Sequence, residues 1–146
     1  MKKFVFSLEK VLGYKQQLLG MLKNELSALQ AHRLELIGQI EQTNREFDNT
    51  NQLLIVKMKE GIARREIASY KGFLAEVNRR VLSLTESLRA LEKEIVAKQQ
   101  EVVTMNSDIS GLEHLKDHQL AAYHSEAQKE QELLIEEFVS HAVRAG

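Results

Sequence analysis

The sequence predicts an all-α protein in which two long helices pair antiparallel in a left-handed coiled coil, the second helix longer than the first. Three observations predict it. The chain has 146 residues and no proline, and a proline inside a helix costs roughly 3 kcal/mol. Apolar residues recur at alternating spacings of four and three along most of the chain, the repeat of a supercoiled helix rather than a straight one. Between two such runs stands Gly61, preceded by Lys57 and Lys59. That is the composition of a helix C-terminus.

Helix 1 is expected over about 4–58. Its stripe reads Leu8, Leu12, Lys15, Leu19, Leu22, Leu26, Leu29, Arg33, Leu36, Ile40, Thr43, Phe47, Thr50 and Leu54. The turn is expected within about 59–65, with Gly61 in the left-handed C′ position. Helix 2 is expected over about 66–140. Its stripe reads Tyr70, Leu74, Val77, Val81, Leu84, Leu88, Leu91, Ile95, Lys98, Val102, Met105, Ile109 and Leu112, interrupted only by Lys98. The whole of 1–146 is thus expected to be one coiled-coil hairpin.

The two stripes test one another. In the register where paired residue numbers total 124, Leu54 meets Tyr70, Phe47 meets Val77, Ile40 meets Leu84 and Leu36 meets Leu88. Leu29 meets Ile95, Leu22 meets Val102 and Leu12 meets Leu112. Each polar intruder faces an apolar residue, and long Lys and Arg stems can lie along the seam with their heads in water. The register centres beside Gly61, which was placed on independent grounds. A 4-3 stripe also suits a parallel homodimer, so a homodimeric scaffold is the alternative architecture.

Helix 2 outruns helix 1 in this register, because Leu8 lies opposite Lys116. That leaves roughly 20 to 30 residues beyond the N-terminus, where the apolar pattern has already loosened, and this overhang is expected to lack a partner in its own chain, as a docking surface or as a frayed end.

Composition excludes several function classes. A net charge of −1 gives no field for nucleic acid. Lysines 2, 3, 10, 15 and 23 make the start basic, and glutamates 126, 130, 132, 136 and 137 make the end acidic. Solvated helix faces account for that asymmetry unless the ends meet. There is no cysteine, so no disulfide or thiolate chemistry. Glu9 and Lys10 interrupt the apolar start before it reaches signal-peptide length. No run approaches the 18 apolar residues of a membrane span, and a cytoplasmic location is expected. No phosphate-binding glycine loop occurs, so no cofactor and no catalysis are expected. His114 and His118 could both project from one helix face, but without a third ligand they read as surface histidines.

Phe73 lies off the stripe beside Gly72, near Lys71, Arg79 and Arg80. It is expected to be partly exposed near the turn, either as a partner contact or folded over the seam edge.

The opening Met1-Lys2-Lys3-Phe4-Val5-Phe6-Ser7-Leu8-Glu9-Lys10-Val11-Leu12 resembles the start of the flagellar export protein FliJ family, which commonly begins F-x-F-x-L-x-x-V-L. Gly61-Ile62-Ala63 with Tyr70-Lys71-Gly72-Phe73-Leu74 is similar to that family's turn region. The tail from Glu126 to Phe138 is similar to the family's tail, with Ile135-Glu136-Glu137 where members often have Asp before Glu. The resemblance implies a non-enzymatic, stalk-like component of the flagellar type III export apparatus, hence of flagellum biogenesis and motility. It implies binding to the hexameric export ATPase and to the cytoplasmic domain of the export gate protein, with some members binding export chaperones. The implied location is the cytoplasmic face of the membrane at the flagellar base. On that picture Phe73 and Val77 are candidates for the gate contact. Lys2, Lys3, Lys10, Leu133, Leu134 and Phe138 are candidates for the ATPase contact, chosen by their place in the hairpin.

Overall fold

A computed structural model describes residues 2–145. Two helices account for nearly all of them: α1, Glu9–Glu60, and α2, Arg64–Ala145. The fold is all-α, an antiparallel coiled-coil hairpin with the longer helix second. Each helix contributes to two compact units, one made of Met1–Met21 with Val102–Gly146 and one of Leu22–Glu101. These are called here the terminal unit and the turn unit.

The turn unit reverses at Gly61, whose φ of +91° belongs to the left-handed region. Its N–H donates to the Lys57 carbonyl at 3.0 Å, the single-bond cap that ends many helices. Lys57 and Lys59 sit in the last turn of α1, at the negative end of its dipole. The Ala63 carbonyl then accepts from Glu66 and Ile67, opening α2. Leu36, Leu91 and Ile95 form the buried centre of this unit, with Leu26, Leu29, Leu84 and Leu88 packed around them. Leu54, Leu74 and Val77 are buried closer to the turn, while Leu22, Ile40, Phe47 and Tyr70 are half-buried at the edges of the seam. Thr43 is buried too, and its hydroxyl donates to the Gln39 carbonyl at 2.7 Å. A polar seam residue is thereby satisfied within its own helix.

In the terminal unit Phe6, Leu12 and Ile109 form the buried centre, flanked by Phe4, Leu8, Leu19, Met105 and Leu112. Val102 is half-buried here. Cross-helix ion pairs follow one register in both units. Glu9–Lys116 and Lys15–Asp108 in the terminal unit, and Glu25–Lys98, Arg33–Glu92 and Glu46–Arg80 in the turn unit, all lie within two of the total of 124. The seam cations Lys15, Arg33 and Lys98 do more than reach water, since each ends on a carboxylate of the other helix. In each unit the stripe of one helix packs on the stripe of the other, as an antiparallel hairpin requires.

Two expectations are corrected. Helix 1 begins at Glu9, not near residue 4, because Phe4, Phe6 and Leu8 alternate with the exposed Val5 and Ser7. That is the period of an extended chain. Part of the overhang of α2 is also not bare. The strap of residues 2–8, extended up to Phe6 and turned at Ser7–Leu8, lies over it, with the Phe4 and Tyr123 rings 5.6 Å apart and the Tyr123 hydroxyl donating to the Lys2 carbonyl at 2.6 Å. The four residue steps from Lys2 to Phe6, extended, span about 13 Å, which equals about nine residues of helix rise. A helical start would reach only about half as far. Tyr123 is half-buried beneath the strap, Lys116, Leu120 and Ala127 are half-buried on the same stretch, and every residue from Gln128 to Ala145 is exposed.

Lys98 shows how the seam cations act. Its ammonium is held above its ordinary value of 10.5 by hydrogen bonds to Glu25 and then Glu101, at 2.8 and 3.2 Å. A lysine whose folded value is raised contributes stability that is complete below 10.5 and is lost as pH rises through the folded value. Melting temperature is therefore expected to fall as pH is raised above 10.5. In Lys98→Met that component of the fall is absent. Equal alkaline slopes for the two proteins would remove Lys98 from the account.

Candidate functional site

Two surfaces carry the residues singled out from the sequence, one in each unit. In the turn unit, Phe73 is 42% exposed. It shares a shallow groove of about 370 Å³ with Thr50, Leu53, Ser69 and Tyr70. Leu53 and Phe73 occupy equivalent flanks of the two helices, one residue before the seam positions Leu54 and Leu74. The groove is therefore a by-product of the 4-3 stripe carrying a large apolar residue just outside it. Tyr70 closes one wall, and the Lys57 ammonium stands 5.3 Å from the centre of its ring, a cation–π distance. The tyrosine hydroxyl raises the Lys57 value above 10.5. Arg79 is held by Glu76 at 2.6 Å, and Arg80 faces Glu46 at 3.9 Å.

Val77, the second gate candidate, is 0% exposed. The seam consumes it, since it is itself a stripe position packed between the helices. It has no surface to offer a partner while the hairpin is closed, and the groove's apolar contact falls to Phe73 with Leu53. Leu53 was missed at the sequence level. Its signal was available, because in the antiparallel register it occupies the same flank as Phe73.

In the terminal unit, Lys2, Lys3 and Lys10 are all exposed, and Lys2 shares a shallow groove with Glu126, Lys129, Glu130 and Leu133. The opposite charges of the two chain ends are thus brought side by side. Leu133, Leu134 and Phe138 are all exposed, Phe138 at 74%. Helix geometry separates them. Leu134 and Phe138 stand four apart and share a face with Ile135, Val139 and Ala142, whereas Leu133 points away with Glu126, Glu130 and Glu137. Ile135 and Val139, also exposed, complete the apolar face and are absent from the residues read off the sequence. The spacing 134, 138 and 135, 139, 142 was the signal.

The tail is therefore an amphipathic helix whose apolar face is left exposed among the described residues. An exposed apolar stripe of this kind is the form taken by helices that dock into a partner's groove. The flanks of the stripe are acidic.

Among the described residues no three or more His, Cys, Asp and Glu side chains cluster as metal ligands would. His114 and His118 lie on the exposed side of α2. Among the described residues no helix is long and apolar enough to cross a membrane. What both surfaces offer is apolar side chains framed by charge, the chemistry of protein recognition.

A family model described as flagellar FliJ protein matches residues 4–146. No curated protein and no solved structure matches the chain. The match runs from the strap through the turn to the end of the tail, so the chain belongs to the flagellar FliJ protein family, a structural component of the flagellar export apparatus.

Proposed function

We propose that the chain acts as a stalk-like coiled coil that binds the hexameric flagellar export ATPase, promotes its activity and links it to the cytoplasmic domain of the membrane export gate. The observation that carries this reading is the uncovered apolar face of the tail, Leu134, Ile135, Phe138 and Val139, in the same unit as the basic N-terminus. A helix end of this composition can enter a partner's cleft without unfolding anything of its own chain. Lys2, Lys3 and Lys10 lie in that unit and supply charge for the same contact. Assistance to export chaperones would use the exposed helix faces that neither contact occupies. Work at the cytoplasmic face of the membrane at the flagellar base follows from the gate contact.

The gate contact is assigned to Phe73, with Leu53 beside it. An aromatic ring that is half-exposed in the free protein and fully desolvated in a complex is the usual form of an interface hot spot. Phe73→Ala is expected to weaken binding to the isolated gate domain by about 10-fold or more. Helix content and melting temperature should barely change, since the ring is outside the seam. Unaltered affinity would take Phe73 out of the contact. The reading as a whole is tested by the ATPase rate: addition of the full chain should stimulate the purified export ATPase. No stimulation and no co-purification with the ring would overturn it.

A further inference from the structure

The flank of the turn unit opposite Phe73 carries a separate feature. Residues 57–80 hold seven cations against three carboxylates, although the whole chain has a net charge of −1. The carboxylates are segregated. Glu60 follows Leu53 by seven residues, and Glu66 and Glu76 stand seven before and three after Phe73, so all three carboxylates belong to the Phe73 side. Arg80, seven after Phe73, shares that side, and Arg79 is tethered to Glu76. Lys59 on α1 follows Ile55 by four residues, and Arg64 and Lys71 on α2 stand seven apart, all on the other side. Exposed apolar side chains are interspersed with these cations: Ile55, Met58 and, further along α2, Leu82. Asp48 is the nearest carboxylate on the same flank of α1, seven residues before Ile55.

We propose that this basic flank binds the surface of an anionic phospholipid membrane. The proposal goes beyond the gate contact, which involves a protein and the opposite flank. Two features favour a lipid surface over an acidic protein. Lys59, Arg64 and Lys71 are held by no ion pair or side-chain hydrogen bond among the described residues. Guanidinium groups that read a particular carboxylate are pre-positioned by neighbours, usually in bidentate geometry, whereas a fluid array of headgroups needs only nearby positive charge. The interspersed Ile55 and Met58 can also enter the headgroup boundary while the long basic stems extend to phosphate. Each lysine or arginine near such a surface contributes on the order of a 5-fold change in partitioning, and the effect is screened by salt.

The test is co-sedimentation of the full chain with vesicles of phosphatidylglycerol and phosphatidylcholine in equal parts, against vesicles of phosphatidylcholine alone. Binding is expected to the first only, and to weaken as salt is raised. Lys59→Gln, Arg64→Gln and Lys71→Gln combined should reduce partitioning by about 100-fold, while Lys2→Gln, Lys3→Gln and Lys10→Gln combined leave it unchanged. Should the first triple variant lose helicity, Lys71→Gln alone should still show about a 5-fold loss. Phe73→Ala should bind vesicles as the native chain does, which separates this surface from the gate contact. Absence of binding to the anionic vesicles at low salt, or equal binding to both kinds, overturns the proposal. So does loss of binding in the N-terminal variant in place of the turn variant. If the turn variant instead loses a protein partner while the native chain ignores vesicles, the flank recognises an acidic protein and the lipid assignment is wrong.

Discussion

Phe6→Ala is expected to remove about 3 kcal/mol from the docking of the N-terminal strap. The ring is 4% exposed and sits in one cluster with Leu12 and Ile109. Loss of a buried phenyl group costs its transfer free energy and leaves a cavity that only partial relaxation can fill. The strap has an alternative to tolerating that cavity, because it is extended chain with no helical hydrogen bonds of its own. It can detach. The measurable consequence is local: hydrogen exchange should accelerate at Glu9, whose N–H donates to the Phe6 carbonyl at 3.1 Å, and trypsin should cut faster after Lys3 and Lys10. The buried centre of the turn unit, Leu36, Leu91 and Ile95, should keep its protection, since it is a separate cluster from that of Phe6. Detachment would also expose Tyr123, extending the bare apolar face of the tail toward the seam. If Phe6→Ala leaves exchange at Glu9 and cleavage at Lys10 unaltered, the strap is not held by its aromatic side chains.

The second large effect is expected in function and not in stability. Removal of everything after Ala127 deletes, among the described residues, only exposed ones, so the stability of the remainder should change by no more than surface substitutions do, about 0.5 kcal/mol. Stimulation of the export ATPase should nevertheless be abolished. A subtler pair of variants makes the prediction specific to one face. Leu134→Glu with Phe138→Glu places two charges in the centre of the apolar stripe and should reduce stimulation by more than about 10-fold, since an unpaired charge buried against a partner is strongly unfavourable. Leu133→Glu changes the same type of residue on the opposite face, beside Glu130 and Glu137, and should have little effect. Equal losses from both would mean that the tail engages its partner all round or not at all. The helix of the tail itself depends on propagation from the packed part of α2, because a segment this short is marginal in isolation. Its amide protection should therefore be low until a partner covers it.

These two regions also mark where sequence reasoning stopped. The strap was misread because its signal, apolar residues at 4, 6 and 8, is only five residues long and was absorbed into a neighbouring heptad. Its partner surface lies more than a hundred residues away, around Tyr123. Leu133, Leu134 and Phe138 were chosen by their place in the hairpin, and helix geometry sets Leu133 on a different face from the other two. Val77 was legible as a stripe position, and the same pattern that made it visible also buries it. Phe73 was legible by exclusion, as a large aromatic one step off the stripe. The groove it forms with Leu53 required both helices to be in place.

By itself, the sequence determined two helices, the glycine at which they reverse and the register in which they meet. Those features follow from periodicity and backbone preference, which each stretch of chain carries locally, and the complementarity of the two stripes can be checked without coordinates. Only the tertiary structure decided that the first residues run extended over α2, which carboxylate each seam cation takes, and which apolar residues remain bare. Coverage depends on what arrives from the other end of the chain, and a repeat of seven says nothing about a neighbour that does not share it.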